Sequence, residues 1–193
     1  MRQIPNLLTI LRIGMTPLFI YFLFWGNGHG YTIALLIFII AGITDIIDGR
    51  LARAMGVESR LGKMLDPLAD KILVLSAMVS FITLDLVYAW IVILIILRDV
   101  VVTAVRFALE YRNMPMATSN WAKGKTGMQV GAVIITLGYL SLKAYQLTWL
   151  SSFIEQTNII AIVMLITMLF TVYTGIDYLV VNRASIRALA RST

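Results

Sequence analysis

The chain has 193 residues, of which 60% are hydrophobic and only 13% are charged, about half the charged share of an average soluble domain. Its mean hydropathy is +0.88. A soluble fold of this size could not bury so much apolar surface, and the same composition excludes an intrinsically disordered chain. The sequence therefore predicts a polytopic membrane protein, in which charged residues need explaining because charge inside a bilayer is costly.

Six apolar segments predict membrane-spanning helices, since one span takes roughly 20 residues. A tight glycine-rich turn separates the first two segments, and a basic tail containing Arg183, Arg187 and Arg191 follows the last one. The arginines recur every four residues, which predicts an amphipathic helix lying on anionic lipid. The length favours a single domain, residues 1–193. The predicted helices cover residues 7–25, 31–55, 63–84, 86–111, 125–142 and 153–181.

The distribution of Lys and Arg predicts the orientation of these helices. The connectors at 26–30, 84–88 and 143–155 contain a single basic residue, Lys143, whereas the other connectors and both ends are basic. Loops rich in Lys and Arg remain on the cytoplasmic side of a membrane. We therefore expect a multi-pass protein of the cell membrane with both termini in the cytoplasm. The net charge of +6 is expected to face lipid or anionic substrates rather than nucleic acid.

Intramembrane charges recur at one predicted depth. Asp45, Asp70 and Arg98 each lie 12 to 14 residues from the predicted outer end of their helix, roughly 18–21 Å at 1.5 Å per residue. The hydrocarbon core is about 30 Å thick, so this level lies inside the membrane towards the cytoplasm. The coincidence predicts one polar cavity that opens to the cytoplasm.

Four aspartates on two successive predicted helices suggest a metal centre. Asp45 and Asp48 are three residues apart, and Asp66 and Asp70 are four apart, so each pair shares one helix face. The short connector predicts antiparallel neighbouring helices, so the four carboxylates can converge. Oxygen ligands at this density suit Mg²⁺ or Mn²⁺, and two such ions could clamp a phosphoryl transfer.

The residues between the aspartates fit a phosphate-containing substrate. Gly49 and Ala52 lack bulk on the face of Asp45 and Asp48, which leaves a groove for a ligand. Arg53 can pair with a phosphate, and Gly62 allows close approach at the entry to the next helix. In the alternative interpretation, the small residues only let helices pack closely.

The complete pattern, D-x-x-D-G-x-x-A-R-(x)8-G-x-x-x-D-x-x-x-D between Asp45 and Asp70, resembles the signature of the CDP-alcohol phosphatidyltransferases. The resemblance implies a homodimer of six-helix integral membrane subunits. It also implies that Asp45, Asp48 and Asp66 bind the metal ions, and that Asp70 lies at the same metal site and deprotonates the acceptor alcohol. The residues it implies at the cytidine diphosphate are Asn6, Thr9, Asp48, Gly49, Ala52, Arg53 and Gly62.

Basic residues in the second half exceed what the cytidine diphosphate needs, and an acceptor with its own phosphate would use them. The start of the fifth helix suits anion binding. The Arg98-Asp99 pair and the segment from Lys123 to Thr126 resemble the family branch that transfers the phosphatidyl group of CDP-diacylglycerol to sn-glycerol 3-phosphate. An alternative interpretation pairs Arg106 with Asp99 or Glu110 and treats the lysines as membrane anchors. The predicted acceptor residues are Arg98, Arg106, Lys123, Lys125 and Thr126.

Two other functions fit parts of the pattern. The same chemistry could use another alcohol, such as inositol phosphate or serine. A cation transporter or channel would also place carboxylates inside the membrane, but it leaves the Gly-x-x-Ala-Arg segment from Gly49 to Arg53 without a role.

Overall fold

The computed structural model describes residues 4–55, 60–112, 114–117 and 121–191, and it describes side chains over 14–44, 71–112, 114–117, 124–147 and 149–190. The described residues form helices and connecting turns without a strand, as predicted. The helices are α1 (Ile4–Phe24), α2 (Gly28–Met55), α3 (Arg60–Thr83), α4 (Ala89–Tyr111), α5 (Trp121–Ala144), α6 (Thr148–Gln156), α7 (Ile159–Val181) and α8 (Arg183–Arg191).

The helices form two compact units. The first comprises Met1–Thr83 and Val133–Ile159, and the second comprises Leu84–Ala132 and Ile160–Thr193. Helix α5 therefore contributes its first half to the second unit and its second half to the first unit.

In the first unit, α1 packs against both α2 and α3, and α2 also contacts α3. The core of this unit includes fully buried side chains from all three helices, among them Phe19, Phe81 and Met78. The rings of Phe19 and Phe38 lie 6.0 Å apart in a tilted arrangement. Helix α1 therefore contacts both of the helices that carry the aspartate motif.

The turn between α1 and α2 is shorter than the predicted segment 26–30. Gly26 has a φ of +72°, a conformation that glycine adopts at low cost. The side chain of Asn27 accepts a hydrogen bond from the backbone N–H of Gly30 at 2.7 Å, which caps the first turn of α2. A Cβ at Gly30 would lie 2.6 Å from the carbonyl oxygen of Phe22, so the two helices approach closely here.

The prediction of one continuous sixth helix over residues 153–181 is wrong, because the structure divides this segment between two helices. Helix α6 ends at Gln156, and Asn158 adopts a φ of +49° before α7 begins. Asparagine tolerates this left-handed conformation better than most residues, and it redirects the chain. Four consecutive polar residues, Glu155 to Asn158, interrupt the apolar run at this break, and the predicted helix ran across them.

Within the first unit, a hydrogen bond and an ion pair to Glu155 connect α6 to α5. Glu155 accepts a hydrogen bond from the hydroxyl of Tyr139 and pairs with Lys143, both at 2.7 Å. The hydrogen bonds from Lys143 and then Tyr139 hold the pKa of Glu155 below its ordinary 4.5. The carboxylate is therefore charged at neutral pH, as the ion pair requires.

In the second unit, α7 has an apolar outer face and a partly polar inner face. The inner face buries Thr167, Thr171 and Thr174 together with Met164 and Tyr178. The exposed face is a stripe of large apolar residues at helical spacing, the reverse of a soluble helix and typical of one that contacts lipid. The members of the exposed stripe are Ile162, Ile166, Leu169, Tyr173, Ile176 and Val180.

Within the described residues, two helical segments are long and apolar enough to cross a membrane, Gly124–Ala144 and Ile159–Val181. Three shorter apolar segments, Gly14–Phe24, Gly28–Thr44 and Lys71–Thr83, belong to α1, α2 and α3. The sequence predicts six spans. Two of them therefore meet the length and hydropathy requirement in the part of the chain that the structure describes.

The observed helix ends differ from the ends used to predict one common depth for the charges. Asp45 lies 17 residues after the start of α2, Asp70 lies 13 before the end of α3, and Arg98 lies 9 after the start of α4. At 1.5 Å per residue, these positions are about 14 to 26 Å from their own helix ends. A helix end is not a membrane surface, so the common depth of the three charges stays a prediction.

Candidate functional site

The aspartate motif occupies two helices of the first unit. Asp45 and Asp48 belong to the continuous helix α2, and Asp66 and Asp70 belong to α3, so the spacing within each pair is helical as predicted. The side chains of these aspartates lie outside the described residues. The same holds for the remaining predicted nucleotide contacts, which are Asn6, Thr9, Gly49, Ala52, Arg53 and Gly62. Among described side chains, no group of three or more His, Cys, Asp or Glu could hold a metal ion.

The second unit contains a buried ionic cluster around Asp99, whose side chain is only 2% exposed. Arg98, its neighbour on α4, donates from Nη1 to Asp99 Oδ1 at 3.1 Å. Lys125 of α5 pairs with the same oxygen. Gln129, one turn further along α5, donates from Nε2 to Oδ2 at 3.3 Å. Both carboxylate oxygens are therefore occupied, and the cluster joins α4 to α5.

Arg98 also links α4 to α7. Its Nη2 donates to Thr174 Oγ1 at 3.0 Å, and its side chain is 10% exposed. A Cβ at Gly175 would lie 2.6 Å from Arg98 Cγ and 2.7 Å from Nε. The Arg98 side chain thus lies directly against the backbone of Gly175. Its Nε is buried without a hydrogen-bond partner among the described residues.

The cluster brings two buried cations together, because Arg98 and Lys125 both lie against Asp99. Arg98 Nε is in addition a buried donor without an acceptor among the described residues, and leaving such a donor unsatisfied costs roughly 1–3 kcal/mol. An anion bound at Arg98 would offset that cost, which is the physical basis for considering the cluster a ligand site.

The predicted acceptor residues have different surroundings. Lys125 is buried, so the alternative in which it anchors the chain at the membrane surface is wrong. Arg106 is exposed, and it is Arg98 and Lys125 that pair with Asp99. Thr126 is partly buried, and the side chain of Lys123 lies outside the described residues.

The expectation of an anion site at the amino end of the fifth helix needs correction. Helix α5 begins at Trp121, four residues before the predicted start. The unpaired backbone N–H groups of a helix belong to its first four residues. Lys125 and Thr126 lie beyond them, so these two residues would bind an anion through side chains rather than through the helix terminus.

Several residues of this unit take part in contacts that no sequence pattern indicates. Gln129, Thr174 and Gly175 complete the cluster, and Gly175 has no side chain to signal a role. The side-chain amide of Asn182 pairs with the backbone of Ala117, accepting from its N–H at 2.9 Å and donating to its carbonyl at 3.2 Å. These contacts depend on tertiary structure, and only the polarity of the side chains could have pointed to them.

Residues 2–181 match the family model described as CDP-alcohol phosphatidyltransferase, and the chain belongs to that family. The family model covers the two candidate spans, the aspartate motif and the Asp99 cluster. The chain is therefore a phosphatidyltransferase that associates with a membrane.

The chain is also similar to individual proteins whose names state a product or a reaction. A Mycobacterium tuberculosis protein named "Probable phosphatidylglycerophosphate synthase" is 37% identical over 180 residues, covering 91% of this chain and 79% of the relative. The CDP-diacylglycerol–glycerol-3-phosphate 3-phosphatidyltransferase of Bacillus subtilis is 36% identical over 145 residues, covering 69% and 75%. The human cardiolipin synthase (CMP-forming) is 42% identical over 113 residues, covering 58% and 36%.

Proposed function

We propose that the chain transfers the phosphatidyl group of CDP-diacylglycerol to sn-glycerol 3-phosphate, producing phosphatidylglycerophosphate and CMP. The observation that carries this proposal is the similarity to the Mycobacterium tuberculosis and Bacillus subtilis proteins, whose names state this product or this reaction. Further support comes from the two buried cations Arg98 and Lys125, because cations of this kind form strong charge-assisted hydrogen bonds with a phosphate.

The donor substrate would bind at the aspartate motif on α2 and α3. A set of four carboxylates fits hard divalent cations, so Asp45, Asp48, Asp66 and Asp70 would hold Mg²⁺ or Mn²⁺, with two ions at the site. Such ions, when bound, neutralise charge on a diphosphate. The cytidine diphosphate itself would contact Asn6, Thr9, Asp48, Gly49, Ala52, Arg53 and Gly62.

Asp70 would act as the general base. Its carboxylate accepts the proton of the acceptor hydroxyl, and the hydroxyl oxygen forms a bond to the phosphorus that carries diacylglycerol. The bond between that phosphorus and the oxygen of CMP breaks, and CMP leaves. The acyl chains remain in the bilayer throughout the reaction, which is a reason for an enzyme of this class to be built from apolar helices.

The acceptor phosphate would bind near the Asp99 cluster. Arg98 and Lys125 are fixed in place by buried contacts, and a preorganised pair of cations binds phosphate without the entropy cost of ordering long side chains. Arg106, Lys123 and Thr126 complete the proposed acceptor site.

The remaining features of the proposal concern assembly and location. Residues 1–193 would form one domain with six spans, with both termini and the active site on the cytoplasmic side of the cell membrane. The protein would act as a homodimer. The basic connectors and the apolar stripe of α7 support this placement.

The human relative favours a second candidate. Its name describes a synthase that forms cardiolipin and releases CMP, a reaction in which the acceptor is a phosphatidyl lipid instead of a soluble phosphate ester. The similarity covers only 58% of the chain, and the two relatives with the first function cover more of it.

A panel of acceptors tests the proposal. The purified chain in lipid nanodiscs would be supplied with CDP-diacylglycerol, Mg²⁺ or Mn²⁺, and one acceptor at a time, and CMP release would be measured. We expect CMP with glycerol 3-phosphate and little with inositol phosphate, serine, glycerol or phosphatidylglycerol. Preference for another acceptor would overturn the assignment of substrate. Absence of CMP with every acceptor would overturn the enzyme class, and a metal flux into liposomes would then support the transporter alternative.

A further inference from the structure

We infer that Gly175 and Thr174 of α7 are positioning residues for Arg98, which they hold in the conformation that binds the acceptor phosphate. This inference rests on the proposed function, because it assigns a purpose to the geometry of a side chain in the proposed acceptor site. Neither residue contacts the reacting atoms in this account, and both act through the guanidinium of Arg98.

The conformation of Arg98 depends on the absence of a side chain at position 175. A Cβ there would lie 2.6 Å from Arg98 Cγ, 2.7 Å from Nε and 3.2 Å from Cδ. Carbon and nitrogen atoms in van der Waals contact are about 3.5–4.0 Å apart, so an alanine at 175 requires the arginine to move. Cγ and Cδ belong to the aliphatic stem and Nε belongs to the guanidinium, so moving these atoms would displace the guanidinium.

The two ends of the guanidinium are fixed by different helices. Nη1 donates to Asp99 on α4, and Nη2 donates to Thr174 on α7. An arginine has five N–H donors in one rigid plane, so these two bonds set both the position and the tilt of that plane. The Thr174 hydroxyl in turn donates to the carbonyl of Thr171 at 2.9 Å, which directs its oxygen lone pairs towards the arginine.

A purely structural salt bridge would not need this arrangement. Asp99 is already paired with Lys125, and Arg98 adds a second cation next to it together with a buried Nε that has no acceptor among the described residues. Maintaining a buried donor in this state is costly. A phosphate bound at Arg98 would supply the missing acceptor, which is one explanation for a buried donor of this kind.

Steady-state kinetics of Gly175→Ala and Thr174→Val in the purified full chain would test the inference. Thr174→Val keeps the shape of the side chain and removes the hydroxyl that accepts from Arg98. We expect both changes to raise the KM for glycerol 3-phosphate by about tenfold or more, the effect of losing a charge-assisted hydrogen bond, and to leave the KM for CDP-diacylglycerol unchanged. Equal effects on the two KM values would overturn the positioning role.

Gly131→Ala provides a matched control. Gly131 also lies in a helix of the second unit, but a Cβ there meets nothing within 4 Å. We expect this variant to retain both KM values. If it raised the KM for glycerol 3-phosphate as much as Gly175→Ala does, the effect would come from adding a methyl group to a helix and not from Arg98.

A double-mutant cycle separates action through Arg98 from a general loss of structure. In an Arg98→Ala background, the atoms that a Cβ at 175 would strike are absent, so Gly175→Ala should have no further effect on the KM for glycerol 3-phosphate. Full additivity of the two changes would overturn the inference. If Gly175→Ala fails to fold, judged by thermal unfolding, the same cycle with Thr174→Val decides.

The outcomes distinguish this inference from the proposed function. If the unmodified chain releases no CMP with glycerol 3-phosphate, the proposed function fails. If the unmodified chain is active and both α7 variants keep their normal KM for glycerol 3-phosphate, the function stands and the positioning role of Gly175 and Thr174 fails.

Discussion

Lys125 of α5 forms an ion pair with Asp99 of α4, and the two side chains are only 8% and 2% exposed. Buried ion pairs are favourable only when their geometry and additional hydrogen bonds compensate for lost hydration. Here Gln129 and Arg98 provide those bonds. The pair therefore joins the two helices and also fixes the position of a lysine that we place in the acceptor site.

We expect Asp99→Asn to destabilise the protein strongly, because it removes the carboxylate that pairs with the two buried cations Arg98 and Lys125. Removing one partner of a buried pair costs about 3–5 kcal/mol. Thermal unfolding in detergent measures the loss. Asp177→Asn is the control, since Asp177 on α7 forms no ion pair with another described residue and its substitution should have little effect. Similar melting temperatures for the two variants would contradict this role of Asp99.

We expect Lys125→Met to weaken binding of the acceptor selectively. Methionine retains an apolar stem in the buried position, and it removes one of the two cations that we propose bind the phosphate. The KM for glycerol 3-phosphate should rise by about tenfold or more, while the KM for CDP-diacylglycerol changes little. Lys143→Met, a change at an exposed lysine of the same helix, should leave both values unchanged. A larger effect on the KM for CDP-diacylglycerol would place Lys125 at the donor site instead.

We expect Asp70→Asn to abolish turnover and to retain binding of CDP-diacylglycerol. The amide cannot accept the acceptor proton, but it keeps the shape of the side chain and one oxygen. Turnover is measured as CMP release, and binding by titration calorimetry in nanodiscs. Asp85→Asn, in the turn before α4, controls for the loss of an aspartate elsewhere. A near-normal rate in Asp70→Asn would show that Asp70 is not the base.

We expect Asn182→Ala to release the connector between α4 and α5. Asn182 makes two hydrogen bonds with Ala117 and one with the carbonyl of Tyr178, and each bond contributes roughly 0.5–1.5 kcal/mol. Hydrogen exchange at residues 114–117 should accelerate. Ser185→Ala removes a single bond to Pro115 and should have a smaller effect. Unchanged exchange in Asn182→Ala would contradict a clamping role for this residue.

The sequence predicts the helical class and the family well, because both depend on local signals. Apolar runs predict the helices, and the spacing from Asp45 to Asp70 is specific enough to indicate the family to which the chain belongs. Helix ends are less predictable. The break at Asn158 depends on the φ of one residue, and the predicted helix extended across the polar residues Glu155 to Asn158.

The partners of Asp99 could not be predicted from sequence spacing. Arg106 is a plausible partner because it lies two turns along the same helix, yet the carboxylate pairs with Lys125, which is 26 residues away. Gly175 was missed for a related reason, since its contribution is the space it leaves for Arg98. Contacts between helices are determined by packing, whereas a sequence pattern reports the faces of each helix separately.

The most direct test of the central claim is a competition between the two phosphorus-containing acceptors that the relatives suggest. The purified chain would receive CDP-diacylglycerol with equal concentrations of glycerol 3-phosphate and phosphatidylglycerol, and mass spectrometry would identify the lipid product. We expect phosphatidylglycerophosphate to form together with an equal amount of CMP. Cardiolipin as the main product would contradict the assignment of glycerol 3-phosphate as the acceptor.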